Sequence, residues 1–253
     1  MSISLISLEN VNLDYLRKPS RPAASKSIWS FSSFFAKRNV SRLSKNRALN
    51  NVSFDVSEGE RIGLLGHNGA GKTTLLKAMA DLYPIAEGKL SVNGVVRSLF
   101  DLSLGFEPDA TGRENIMYRG LLLGQTPAQM MALEKEIVDF ADLGDFIDYP
   151  INTYSAGMQV RLAFAVSTSI SGDILLLDEV VGVGDAAFID RAVSRIKSLI
   201  DSAKVVFLAS HDLLTIRSVC NRVIVLDKGV VIYDGDVEDG IVCYLKSQGL
   251  ASE

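Results

Sequence analysis

Gly66-His67-Asn68-Gly69-Ala70-Gly71-Lys72-Thr73 fits the pattern G-x-x-x-x-G-K-[ST] without a gap or substitution. Glycines at these spacings let the chain turn so tightly that successive backbone N–H groups face phosphate oxygens, where a side chain would block the approach. Lys72 adds a point charge for the β- and γ-phosphates, Thr73 offers a hydroxyl to Mg²⁺, and the helix that begins here aims its positive end at the same anion. The context agrees: Ile62, Gly63, Leu64 and Leu65 read as a short buried strand, and Thr74 to Met79 as a helix. The stretch therefore predicts a nucleoside triphosphate site held by Gly66, Asn68, Gly69, Ala70, Gly71, Lys72, Thr73 and Thr74.

Outward from that loop, the 253-residue chain is 47% hydrophobic, long enough for one large domain with a full core. No run approaches the length of a membrane span, and Met1 to Asn10 lacks the basic start and apolar core of a signal peptide, so a cytoplasmic location is expected. Cys220 and Cys243 are expected to be small buried residues. With only two histidines there is no spacing for a structural metal.

The net charge of −4 hides an asymmetry. Residues 1 to 50 carry nine Lys/Arg against two Asp/Glu, whereas the remainder is acidic. All nine basic residues fall between Leu16 and Arg47, together with Trp29, Phe31, Phe34, Phe35 and no acid. Ile28, Phe31 and Phe35 share one helical face, so this insertion, residues 16–47, is expected to be a docking element for an anionic membrane surface or else a solvated loop. Nucleic acid is not an expected partner, given the acidic body.

Val11, Leu13 and Tyr15 alternate with polar residues, as do Val52, Phe54 and Val56, which predicts antiparallel strands on either side of the insertion. Asn93-Gly94 between Leu90-Ser91-Val92 and Val95-Val96 predicts a two-residue hairpin. Thr126, Pro127 and Gln129 form a capping-box start for a helix whose apolar face is Met130, Leu133, Ile137 and Ala141. A second helix starts near Ser155. Ile174 to Leu177 and Val205 to Ala209 read as central parallel strands, separated by a helix from Phe188 to Ile200. Val223 to Leu226 and Val230 to Tyr233 read as two further strands, leading to a last helix capped by Asp236.

Asp178 and Glu179 end the first of the two central runs. A carboxylate there is placed to hold Mg²⁺, and the next to orient or deprotonate an attacking water. His211 ends the second run, where an imidazole reaches a γ-phosphate.

Together these residues resemble the ATP-binding cassette family over nearly the whole chain. That resemblance implies an α/β fold with a mostly parallel RecA-like sheet, an antiparallel β subdomain and a helical subdomain at about 111–165, all in one domain spanning 1–253. Tyr154-Ser155-Ala156-Gly157-Met158-Gln159 is similar to the family's signature motif, keeping its serine and second glycine. By the same resemblance Tyr15 stacks on adenine, Gly184-Asp185 ends the D-loop and counts with Glu179, His211 and Lys72 among the catalytic residues, and His211 is the switch histidine. The family pairs two cassettes head to tail, so that Ser155 and Gly157 of a second copy complete each ATP site. Its Q-loop glutamine has no counterpart between Leu99 and Asp109; Asp101, or failing that Ser103, is expected to act there and touch the metal shell.

Thr111-Gly112-Arg113-Glu114-Asn115, Arg161-Leu162-Ala163-Phe164-Ala165 and the stretch Asp178-Glu179-Val180 to Val183-Gly184-Asp185-Ala186-Ala187-Phe188 are similar to ATPase subunits of bacterial exporters of O-antigen, capsule or teichoic acid chains. The resemblance implies a multispanning permease partner and a peripheral place on the cytoplasmic face of the inner membrane. Some such subunits carry a C-terminal sugar-binding domain; this sequence ends at Glu253, so no sugar recognition of its own is expected. The alternative is a soluble ATP switch without a membrane partner, which usually needs a second cassette or a long coiled-coil insertion. A phosphotransferase or GTPase reading is opposed by the signature-like helix.

Overall fold

The computed structural model describes residues 5–17, 44–100, 105–178 and 186–250. Strands β1 (Ile6–Arg17) and β2 (Ser44–Val56) pair antiparallel from Ile6↔Val56 to Arg17↔Ser44. The alternation places Val11, Leu13, Val52, Phe54 and Val56 inside. The pairing runs beyond the last buried residues, so residues 16–17 and 44–47, grouped by composition with the basic insertion, are strand residues. An ion pair between Arg47 and Asp14, 3.0 Å apart, fastens this end. The intervening 18–43, with the expected membrane-facing helix, lie outside the described residues.

Strand β3 (Arg61–Leu65) leads to the phosphate loop and helix α1 (Lys72–Met79). Strand β4 (Glu87–Val92) then joins β1, giving a three-stranded sheet of order β2-β1-β4. The hairpin expected at Asn93-Gly94 does not form, because the next strand, β5 (Val96–Ser98), pairs with another sheet. Asn93 N–H donates to the Leu5 carbonyl at 2.8 Å, while Val95 N–H donates to the Asp173 carboxylate and its carbonyl accepts from Asp173 N–H, each at 2.8 Å. Asn-Gly supplies the sharp turn, but two competing non-local partners pull its flanks apart.

Helices α2 (Gly112–Leu122), α3 (Pro127–Ala141) and α4 (Ala156–Ser169) pack around Ile116, Met130, Ile137, Leu162 and Val166. Thr111 with Glu114 and Thr126 with Gln129 close two capping boxes, and the Ser155 hydroxyl accepts from Met158 N–H. Asn115, fully buried, accepts from Glu107 N–H and donates to the carbonyls of Glu107, Ala110 and Thr111, pinning the loop that enters α2.

The chain returns through β6 (Ile174–Asp178), α5 (Ala186–Ser202), β7 (Val205–Ala209), α6 (Leu213–Val219), β8 (Arg222–Asp227), β9 (Val230–Gly235) and α7 (Val237–Ser247). The second sheet has the order β5-β6-β7-β3-β8-β9 and is parallel except for β9. Both faces of its central strands are covered, so these are apolar throughout rather than alternating. Ile174 and Leu176 pack towards α1 and the antiparallel sheet; Leu175 and Leu177 pack towards α5, α6 and α7. Cys220 is buried, and burial pushes its thiol up to about 12. Cys243, expected to be buried as well, is half-buried on α7. Among the described residues no helix is long and apolar enough to cross a membrane.

Candidate functional site

The phosphate loop lies at the carboxyl end of β3, where parallel neighbours on both sides leave a crevice. A Cβ at Gly66 would stand 2.4 Å from the Leu226 carbonyl oxygen of β8, so only glycine lets the loop leave the sheet there. Lys72 is buried, and its ammonium donates to the carbonyls of Gly66 at 2.6 Å and His67 at 3.4 Å. The loop thus curls around its own lysine. Thr73 Oγ donates to Asp178 Oδ2 at 2.6 Å, which brings together the first turn of α1 and the end of β6.

These groups face a cleft of about 560 Å³ lined by Gly69, Gly71, Lys72, Thr73, Thr74 and Asp178, with Tyr15 also on its wall. Among the described residues no three His, Cys, Asp or Glu side chains gather as a metal cage. One hydroxyl and one carboxylate nevertheless suit Mg²⁺, a hard cation that takes few protein oxygens and fills its shell with water and phosphate.

Tyr15 is 38% exposed; its hydroxyl lies 2.9 Å from the Thr74 hydroxyl, and its ring meets Tyr83 edge-on with centroids 5.6 Å apart. An exposed aromatic beside a phosphate cleft offers a stacking surface for a base.

Two cations at the cleft, Arg47 and Lys228, are not singled out by any motif. Composition groups Arg47 with the insertion; in the fold its guanidinium holds the Asp14 carboxyl below the usual carboxylate range. Lys228 sits in the turn joining β8 to β9. Asp227 pairs with Val230, and Lys228 and Gly229 have φ of +48° and +80°, the conformation of a two-residue hairpin turn. Lys-Gly between two apolar runs is a legible turn signal, but nothing local says where the turn will land. It lands on the phosphate loop: Gly229 N–H donates to the Ala70 carbonyl at 2.8 Å, and Asp227 Oδ1 lies 3.0 Å from Nε2 of His67.

His211, just past β7, places Nε2 3.1 Å from Oδ1 of Asn68 in the phosphate loop. Ser155 and Gly157 are not brought to this cleft. They open helix α4, where a Cβ at Gly157 would meet nothing but the Ser155 hydroxyl, 3.9 Å away. Glu179, Asp185, Asp101 and Ser103 lie outside the described residues.

A phosphate loop lining a cleft, a carboxylate at the end of a central strand and a separate serine-capped helix define the nucleotide-binding class of ATP-binding cassettes. Residues 49–182, just over half the chain, match the family model described as ABC transporter, and the chain belongs to that family. The O-antigen export system ATP-binding protein RfbE of Yersinia enterocolitica is 45% identical over 184 residues, 73% of this chain and 77% of that protein. The O-antigen export system ATP-binding protein RfbB of Myxococcus xanthus is 39% identical over 204 residues, 81% of this chain and 47% of that protein. The teichoic acids export ATP-binding protein TagH of Bacillus anthracis is 38% identical over 192 residues, 76% of this chain but 35% of that protein. The chain thus spans most of the first relative and less than half of the other two.

Among solved structures, an ATP-binding cassette dimer in a post-hydrolysis state with ADP and Pi superposes with a TM-score of 0.66 at 20% identity, covering 92% of this chain and 98% of that one. An ATP-binding subunit of an ABC transporter does so with a TM-score of 0.68 at 18% identity, covering 99% and 95%. At these identities the likeness is one of fold.

Proposed function

We propose that the chain is the ATP-binding and ATP-hydrolysing subunit of a bacterial exporter of lipid-linked polysaccharide, of the O-antigen, capsule or teichoic acid kind. The observation that carries this reading is the division of the site. Lys72, Thr73 and Asp178 meet in one cleft, whereas Ser155 and Gly157 stand apart on another helix, as a site shared between two copies requires. The names of the relatives support export rather than a soluble switch.

Lys72 and the loop N–H groups hold the β- and γ-phosphates, Thr73 and Asp178 hold Mg²⁺, and Tyr15 carries the adenine. The metal, when bound, offsets phosphate charge. Glu179 orients the attacking water, and Ser155 and Gly157 of the second copy close over the γ-phosphate with a helix N-terminus. By the family resemblance Asp185 ends the D-loop and acts with Glu179 and His211 in catalysis. Asp101 takes the place of the glutamine that joins the metal shell to a multispanning permease. Tyr118, Leu121 and Leu122 of α2 are exposed apolar side chains, and Leu122 lies beside Gly105, which suits docking of a permease at the cytoplasmic face of the inner membrane.

The test introduces Glu179→Gln in the producing cell and measures both ATP turnover of the purified subunit and surface polysaccharide. Turnover is expected to fall about 10² to 10⁴-fold, the range for losing a general base, while ATP binding persists. Polysaccharide should accumulate inside the cell. Normal surface polysaccharide with turnover abolished would reject the export role and leave the ATPase standing.

A further inference from the structure

We propose that Tyr244, on the C-terminal helix α7, is a positioning residue for His211. Its hydroxyl faces Nδ1 of the imidazole and holds the ring so that Nε2–H points at the phosphate loop. The inference rests on the reading of the chain as an ATPase in which His211 meets the γ-phosphate.

His211 stands beyond Ala209, the last residue of β7, so the ladder of the sheet no longer fixes it. Two side chains remote in sequence bracket its ring. On one side Nε2 lies 3.1 Å from Oδ1 of Asn68; on the other Nδ1 lies 3.5 Å from the hydroxyl oxygen of Tyr244. An amide oxygen only accepts, so Nε2 carries the proton and donates. In the neutral imidazole that leaves Nδ1 a lone pair, and a phenol is a group able to donate to it. At 3.5 Å the two atoms stand beyond the usual hydrogen-bond range, so the contact has to tighten when nucleotide arrives for the hydroxyl to hold the ring.

The acid next in sequence does not take this role. Asp212 caps α6, its carboxylate accepting from Leu214 N–H at 3.0 Å and from the Thr215 hydroxyl at 2.5 Å. Tyr244, by contrast, is anchored by its ring against the core that includes Ile216, Val223 and Ile241. Its hydroxyl is therefore placed by the docking of α7 on the sheet. The same Nε2–H that donates to Asn68 is the one a γ-phosphate oxygen takes over when nucleotide fills the loop.

The experiment is steady-state ATP hydrolysis by the full chain carrying Tyr244→Phe, His211→Ala or both, with melting temperature and ATP affinity measured alongside. Phenylalanine keeps the packed ring and removes only the hydroxyl. Loss of one such hydrogen bond is expected to lower kcat about 3- to 10-fold, with KM for ATP and melting temperature unchanged, and to have no further effect in the His211→Ala background. Wild-type kcat in Tyr244→Phe overturns the proposal, as does an equal loss with and without His211. If wild-type protein hydrolyses ATP and His211→Ala leaves that rate intact, the role of His211 itself falls, a result separable from a silent Tyr244→Phe beside a damaging His211→Ala.

Discussion

The Thr73 hydroxyl donates to Oδ2 of Asp178 at 2.6 Å, linking residues 105 positions apart across the floor of the cleft. Both residues line the cleft, and together they would hold Mg²⁺ beside a bound triphosphate. Thr73→Ala and Asp178→Asn are therefore expected to weaken Mg·ATP by at least the roughly 10-fold lost when even an outer partner of a metal is removed. Affinity for ATP in chelator should change far less. Titrations with and without Mg²⁺ check this; equal losses in the two conditions would place the pair outside the metal shell.

Tyr15 offers an exposed ring, and its hydroxyl is already engaged with Thr74. Stacking of a base on an aromatic ring contributes about 1–3 kcal/mol, so Tyr15→Ala should weaken ATP by about 5- to 150-fold. Tyr15→Phe keeps the ring and should stay within a few-fold of wild type. Inorganic triphosphate, which has no base, should bind Tyr15→Ala as it binds wild type; a matching loss for triphosphate would show that the ring acts on the loop instead.

Gly229 combines φ of +80° with a close approach, since a Cβ there would lie 2.4 Å from the Ala48 carbonyl oxygen. Gly229→Ala is expected to cost about 1–3 kcal/mol of stability or more, and to weaken ATP by shifting the hairpin off the Ala70 carbonyl. Gly59 has a φ of +92° but open space within 4 Å of where a Cβ would stand, so Gly59→Ala isolates the backbone contribution. Denaturant unfolding of the two variants should rank Gly229→Ala as the more damaging, and only that variant should lose ATP affinity.

Asp173 ties β5 to β6 and β7. Its carboxylate takes the Lys204 ammonium at 2.8 Å and the Val95 N–H at 2.8 Å, and Lys204 chiefly holds its pKa below the ordinary 3.8. A depressed folded value means that the unfolded chain takes up the proton first on acidification. The contribution of this carboxylate is thus complete above the ordinary value and is lost as pH falls through the folded one. Asp173→Ala should therefore be less stable than wild type by a constant margin between about pH 7 and 5, and the margin should shrink below about pH 4. A margin that does not change on acidification would mean that the ion pair contributes nothing.

What is legible in the residues themselves is chemistry confined to a few neighbours. Gly66 to Thr73 specifies its own turn and the start of α1; Thr126 with Gln129 specifies a helix start; Ile174 to Leu177 and Val205 to Ala209 announce strands buried on both faces. Each depends on backbone conformation or hydrophobic period within one element. The tertiary structure decided whatever depended on which elements meet. Asn93-Gly94 has every local mark of a hairpin, yet Leu5 and Asp173 draw its two flanks into different sheets. Lys228 reaches the cleft only because β8 lies beside β3, and Tyr244 reaches His211 only because α7 packs across the same sheet. Sheet order is set by competition among distant strands for the same backbone donors and acceptors, and no stretch of sequence carries the outcome of that competition by itself.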